Sequence, residues 1–197
     1  MSKRYFILCL TVLVSAFTFG GCAVVPATSE PGWKMLFDGT NLNQWDLFGN
    51  ANWRLQDGMA VAEVGGGHLV SKSTYTDFQI KAEFWVDQEA NSGIFIRCEN
   101  PKIITGKSCY EVNIYDTRPD PAYGTGGIPD VAKASTVIKT ANHWNTYEIT
   151  AQGSHLIVVL NGVKTVDVND SQHAKGHITL QYGGGVVKFR KLMIRSL

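Results

Sequence analysis

From Phe78 to Val86 apolar and polar residues alternate without a break. Phe78, Ile80, Ala82, Phe84 and Val86 fall on one side, and Gln79, Lys81, Glu83, Trp85 and Asp87 on the other. A period of two belongs to a half-buried β-strand. Shorter runs of the same kind recur along the chain. Trp33 to Phe37 is a first strand, ended by Asp38-Gly39 and followed by a loop carrying Trp45. WRLQ and MAVAE flank Asp57-Gly58, a two-residue hairpin turn, and HLVSK follows the Gly65-Gly66-Gly67 loop. Later come WNTYEITAQ and HLIVVLNG, joined at Gly153, and Asn161-Gly162 turns the chain into VKTVDVN. HITLQY and VVKFRKLMIR close the sequence around Gly183-Gly184-Gly185. After the first 22 residues no long apolar stripe of period 3.6 occurs. The pattern predicts an all-β chain folded as a two-sheet antiparallel sandwich of jelly-roll type.

Between Asn91 and Asp116 the alternation also carries charge. Ile94 and Ile96 share one face of the first run, with Phe95 and Arg97 on the other; Val112 and Ile114 share one face of the second, with Glu111, Asn113 and Tyr115 opposite. If the runs pair as antiparallel neighbours over an aliphatic core, the polar and aromatic set converges on one surface, the composition of a sugar-binding hollow. The segment from Thr117 to Ala134, rich in Pro and Gly, cannot continue the strands. A loop of that length directly after Asp116 predicts a lid or wall over the site.

The chain begins with Lys3 and Arg4, an apolar run from Tyr5 to Phe19, and Gly20-Gly21 before Cys22. This is the pattern of a bacterial lipoprotein signal, residues 1–21, with Cys22 the lipidated residue. Such an anchor holds a protein to a membrane without spanning it. Ala23 after the cysteine resembles cargo sent to an outer membrane, so the expected location is an outer-membrane lipoprotein facing the periplasm or the cell surface. Residues 22–32 read as a flexible tether, and 33–197 as a single domain with room for one core. Removing Lys3 and Arg4 from 18 basic against 17 acidic residues leaves 16 against 17, a balance that argues against a nucleic-acid partner. Cys98 and Cys109 remain as a pair for a disulfide in an oxidising compartment. Their spacing raises a parity problem. If Arg97 and Glu111 share a face, the two cysteines start on opposite faces, so one must lie past a strand end or beside a bulge.

Glu111 and Asp116 are the carboxylates placed for acid-base work, joined by Glu83 if its strand lies beside the central hairpin. Arg97 has the fixed charge to steady an oxyanion or enolate; equally, Arg97 and Glu111 could form a cross-strand ion pair with no chemistry. Trp85, Tyr115 and Tyr123 are the aromatic candidates for stacking on a sugar, with Trp33, Trp53 and Trp144 expected to be structural. The five histidines, His68, His143, His155, His173 and His177, fall in turns or at strand starts without metal-ligand spacing. No GxSxG elbow, P-loop, dinucleotide fingerprint or HExxH is present.

LFDGTNLNQW, DFQIKAEFWV followed by NSGIFIR, YEVNIYD, HWNTYEI with LNG after it, and HITLQY with VVKFRKLMI occur in that order from Trp33 to Leu197. Together they resemble the 3-keto-disaccharide hydrolase domain family. The resemblance implies a concanavalin A-like lectin/glucanase fold with a site on the concave sheet, a carbohydrate substrate, and cleavage of glycosides already oxidised at C3, by hydrolysis or by elimination and hydration. By motif it points to Arg97, Glu111 and Asp116, with Gln181 of ITLQ as a further candidate; Asn113 and Tyr115, on the face the alternation defines, are the substrate contacts expected from the residues themselves. Some relatives use a divalent cation, for which Glu111 and Asp116 have suitable oxygens. Many members follow the LQ pair with His-Gly, where this chain has Tyr182-Gly183. The alternative to an enzyme is a non-catalytic glycan-binding lipoprotein of lectin-like fold.

Overall fold

The computed structural model describes residues 31–197; the signal 1–21, Cys22 and the tether up to Glu30 lie outside the described residues. Five strands make one antiparallel sheet: β2 (Trp45–Gly49), β5 (Gly67–Tyr75), β7 (Asn91–Cys98), β8 (Tyr110–Ile114) and β12 (Gly176–Gly184), in the order β2-β5-β12-β7-β8. The remaining eight are β1 (Lys34–Phe37), β3 (Arg54–Gln56), β4 (Met59–Ala62), β6 (Phe78–Val86), β9 (Trp144–Gln152), β10 (His155–Leu160), β11 (Val163–Asn169) and β13 (Val187–Ser196). They form the second sheet, β11-β10-β9-β6-β13-β4-β3, with β1 also paired to β13. The chain is an all-β two-sheet sandwich.

The expected alternation sets the core. On β6 Phe78, Ile80, Ala82, Phe84 and Val86 are all buried, and they face Ile94, Ile96, Val112, Ile114 and Leu180 of the other sheet within one apolar cluster. At Asp57-Gly58 and Asn161-Gly162 both residues take positive φ, 51° and 75° at the first and 50° and 80° at the second. That conformation fits a tight turn between right-twisted strands, and glycine adopts it without a Cβ clash. One element departs from the sequence reading. Trp45 lies not in a loop but at the start of β2, buried, with its indole N–H donating to Leu36 O at 3.1 Å.

The parity problem is resolved at Arg97. On β12 His177 faces Cys98 and Thr179 faces Phe95, so three steps along β7 match two along β12. The extra residue is a β-bulge, and Arg97 sits in it with φ 55°. The bulge restores Cys98 to the side of Phe95, where the Cys98–Cys109 disulfide forms and packs with Ile104 in a small cluster outside the main core. It also turns Arg97 off the sheet face. The guanidinium is 1 % exposed and donates to Thr76 O, Gly153 O, His173 O and Asp77 Oδ1 at 2.7–3.1 Å. Three turns are thereby tied to one cation at the end of the sandwich.

The Thr117–Ala134 segment is ordered along the open side of β8. Asn113 N donates to Gly127 O and Gly126 N to Asn113 O, each near 3 Å, so the segment covers a sheet edge that would otherwise present unpaired backbone groups. Tyr147 from the opposite sheet clasps it, donating to Asn113 O at 2.6 Å and accepting from Gly126 N at 2.8 Å.

Replacing Arg97 with Met leaves buried carbonyls without donors, so Arg97→Met should lower stability by about 3 kcal/mol, or roughly 6–12 °C in Tm. Thermal unfolding checks this; a Tm unchanged within a degree or two would show that the arginine is not the clasp described.

Candidate functional site

Pairing register places two rows of side chains across the outer face of the five-stranded sheet. One row runs Phe48, His68, Gln181, Gly93 and Asn113; the next runs Asp46, Val70, Thr179, Phe95 and Glu111. Directly opposed positions in neighbouring antiparallel strands stand about 5 Å apart, so Glu111 lies beside Phe95 and diagonally across from Gly93 and Gln181. Phe95, Thr179 and Asn113 are buried although no second sheet covers this side. The cover comes from loops. Residues 99–108, closed at their base by the disulfide, set Ile104 on Phe95.

Gly93, lacking a Cβ, lets the Glu111 side chain lie close over β7. It is flanked by Gln181 and Asn113, and a Cβ built there would lie 3.4 Å from Glu111 Cγ and 3.5 Å from Oε1. Any longer side chain would fill the space beside the carboxylate. On the loop side, a Cβ at Gly106 would lie 3.7 Å from Glu111 Oε2. Enclosed in this way, the Glu111 carboxyl is pushed up to about 7, chiefly by burial; the charge of Arg118 opposes the shift and that of Asp130 adds to it. Both of those residues come from the segment along β8. Gln181 Oε1 and Asn113 Oδ1 are buried acceptors with no hydrogen-bond partner among the described residues, while Asn113 Nδ2 donates to Tyr123 O at 2.8 Å. Open acceptors in a recess suit a ligand rich in hydroxyl donors.

His68 belongs to this face and was not singled out by the sequence reading, which left it at a strand start. Its Nδ1 lies 3.1 Å from Thr179 Oγ1 and its ring meets Phe95 edge-on at 5.3 Å. Burial lowers its pKa to about 4, so the ring is neutral near pH 7. The signal was one of topology: His68 acquires its neighbour Gln181 only when β5 pairs with β12.

The other expected residues divide. Glu111, Asn113 and Gln181 meet in the hollow. Tyr123 reaches it through its carbonyl, its ring lying 5.5 Å from Lys133 Nζ, and Tyr115 is half-buried just beyond the end of β8. Arg97 does not share this face, because the bulge commits its donors to the turns; neither an ion pair with Glu111 nor a role in steadying an enolate fits that position. Asp116 is likewise consumed. It accepts from Thr125 Oγ1, Thr140 N, Thr140 Oγ1 and Ala141 N at 2.6–3.0 Å, which joins the two ends of the loop region. Glu83 and Trp85 lie on the outer face of the other sheet, because β6 pairs with β9 and β13 rather than with the central hairpin. There Glu83 accepts from Arg190 at 2.5 Å and Lys191 at 2.9 Å, and Trp85 lies under Lys188 at 4.2 Å. Tyr182, where many relatives have histidine, points into the core and donates to Gly185 O. That departure therefore falls on the side of the sheet away from Glu111.

The residues do not fit a cation held between Glu111 and Asp116. The Asp116 oxygens are saturated by four protein donors, and among the described residues no three His, Cys, Asp or Glu side chains group in a way that could hold a metal.

Comparison with known proteins agrees with this architecture. The model of the 3-keto-alpha-glucoside-1,2-lyase-like domain matches residues 32–195. Two solved structures from Parabacteroides distasonis, each titled a "putative glycosyl hydrolase", are similar. One has 20 % identity and a TM-score of 0.76, covering 84 % of this chain and 94 % of its own; the other has 27 % and 0.72, covering 84 % and 99 %. The carbohydrate-binding module CBM66 of Bacillus subtilis shares the fold at 15 % identity and a TM-score of 0.60, over 79 % of this chain and 98 % of that one. No curated protein matches the chain.

A carboxyl raised from 4.5 to about 7 binds its proton more tightly in the folded state than in the unfolded chain. Its stabilising contribution is therefore complete below about pH 4.5 and is lost as pH rises toward 7. Glu111→Gln removes that dependence. The variant should match the native protein near pH 4.5 and exceed it by about 3–4 kcal/mol near pH 8, at about 1.4 kcal/mol per pKa unit. Urea unfolding across this range checks the expectation; a gap that stays constant with pH would mean the carboxyl is not desolvated.

Proposed function

Since the chain belongs to the 3-keto-alpha-glucoside-1,2-lyase-like domain family, we propose that it cleaves glycosidic bonds of sugars oxidised at C3, with Glu111 as the base. The observation that carries this reading is a single carboxyl, raised by burial to about 7, on a sheet face that also carries two buried acceptors without hydrogen-bond partners among the described residues. A base of that strength is half ionised near neutral pH and accepts a proton more readily than an exposed glutamate does. A ketone at C3 acidifies the C2 proton. Glu111 takes that proton, and the C–H electron pair becomes the C2–C3 double bond of an enolate, with negative charge on the C3 oxygen. Collapse of the enolate restores the ketone, forms C1=C2, and breaks the C1–O bond, so the leaving oxygen departs with its electron pair and is protonated. Addition of water, hydroxyl to C1 and proton to C2, completes a net hydrolysis.

The enolate oxygen needs donors, and Arg97 is not among them. His68 takes that place. In the tautomer that accepts the Thr179 hydroxyl at Nδ1, the neutral ring keeps an N–H at Nε2, and a neutral donor stabilises a forming oxyanion without also charging the site. The Gln181 side-chain amide stands next to it in the same row. Gln181 Oε1 and Asn113 Oδ1 receive sugar hydroxyls. The same acceptors would also serve a binding module without turnover, and the fold shared with a carbohydrate-binding module keeps that as the second reading.

Purified protein mixed with a 3-keto-disaccharide should release free sugar, with a rate that rises with pH through about 7 as Glu111 ionises. Glu111→Gln should lower kcat by about 10²–10⁴-fold, and His68→Phe should reduce it while leaving sugar binding in place. Turnover that persists in Glu111→Gln contradicts the assignment. Saturable binding without turnover in the native protein, unaffected by Glu111→Gln, selects the binding module.

A further inference from the structure

The two outer faces of the sandwich are chemically opposed. Along the centre of the eight-stranded sheet, β6 and β13 carry Lys81, Lys188, Arg190, Lys191 and Arg195 against the one acid Glu83. Glu83 takes Arg190 and Lys191, and Glu148 stands opposite Lys81 on β9, which leaves the stripe net positive. The chain as a whole is close to neutral, 18 basic against 17 acidic residues, so this is a segregation of charge rather than a general basicity. Indole rings are set among the cations. Trp85 and Trp144 are direct cross-strand partners, with Lys188 4.2 Å above the first and Arg190 3.8 Å above the second. Trp33 lies beneath Lys81 and Arg195, at 4.9 and 5.0 Å.

Trp33 is also where the chain enters the fold, so whatever precedes it leaves from this face. Cys22, the expected lipid attachment, lies eleven residues earlier. Eleven residues of chain reach at most about 40 Å when fully extended, so this face lies within reach of a bilayer that holds Cys22. Tryptophan favours the headgroup region, and lysine and arginine are drawn to anionic lipids. We propose that the outer face of the eight-stranded sheet rests on the anionic lipid headgroups of the membrane to which the N-terminal segment leads. The Glu111 hollow, on the outer face of the other sheet, then points away from the bilayer toward diffusing sugar.

The test uses the full chain with Cys22→Ser, so that no acyl chain contributes, sedimented with vesicles of phosphatidylethanolamine alone or mixed with phosphatidylglycerol. The leading segment, with Lys3 and Arg4, is the same in the parent protein and in the variants below, so the comparison among them isolates the contribution of the face. The expected result is partitioning about tenfold or more in favour of the anionic vesicles, reduced by added salt. The preference should fall about tenfold in Lys188→Gln/Lys191→Gln/Arg195→Gln and stay unchanged in Lys72→Gln, on the other sheet. Equal partitioning on both vesicles overturns the proposal. So does a folded triple variant, verified by its thermal transition, that keeps the full preference, and so does binding to a soluble acidic polysaccharide without binding to anionic vesicles.

Discussion

Everything at the site depends on the register in which β8, β7, β12 and β5 pair. Successive residues of a strand point to opposite sides, so a slip of one position on β8 would exchange Glu111 for Val112 and bury a carboxylate in the aliphatic core. The register is held on the inner side by Ile94, Val112, Ile114 and Leu180, all at most 1 % exposed. On the outer side the bulge at Arg97 lets β7 keep Phe95 beside Glu111 while delivering Cys98 to the disulfide that closes the neighbouring loop. The arginine serves the site by fixing the frame on which the glutamate stands.

That division of labour explains why Glu111 stays without a cation in contact. A guanidinium beside it would hold the carboxyl ionised and weak as a base. Here the available arginine is spent on the carbonyls of three turns, Asp116 is spent on Thr125, Thr140 and Ala141, and the charges nearest Glu111, those of Arg118 and Asp130, oppose one another. Burial is left as the dominant influence. A buried carboxyl of this kind costs stability at neutral pH, the local conflict expected where structure serves chemistry and the one on which the proposed role of Glu111 rests.

Much of the fold was legible because burial leaves a strong period-two imprint. The alternation from Phe78 to Val86, the turns at Asp57-Gly58 and Asn161-Gly162, and the inner and outer faces of the central hairpin are all as the sequence pattern indicates. Glu111 and Asn113 could be placed together for the same reason, whereas Gln181 was suggested only by the family resemblance, and the pairing of β12 with β7 brings it to the same face. The errors share one cause, since alternation tells which residues share a side of one strand but not which strands become neighbours. Glu83 and Trp85 alternate correctly yet belong to the wrong sheet, and His68 is invisible until β5 meets β12. Arg97 fails for a finer reason: a single bulged residue suspends the alternation at that position. The cysteine parity had already required an irregularity nearby, without saying which residue would absorb it.

The claim on which the account stands is that Glu111 occupies a desolvated hollow that a sugar enters. The carboxyl carbon of Glu111, followed by NMR through a pH titration with and without a 3-keto-disaccharide, reads that claim directly. A midpoint near 7 that moves when the sugar is added is the predicted result. A midpoint near the ordinary value of 4.5, indifferent to the sugar, would contradict it.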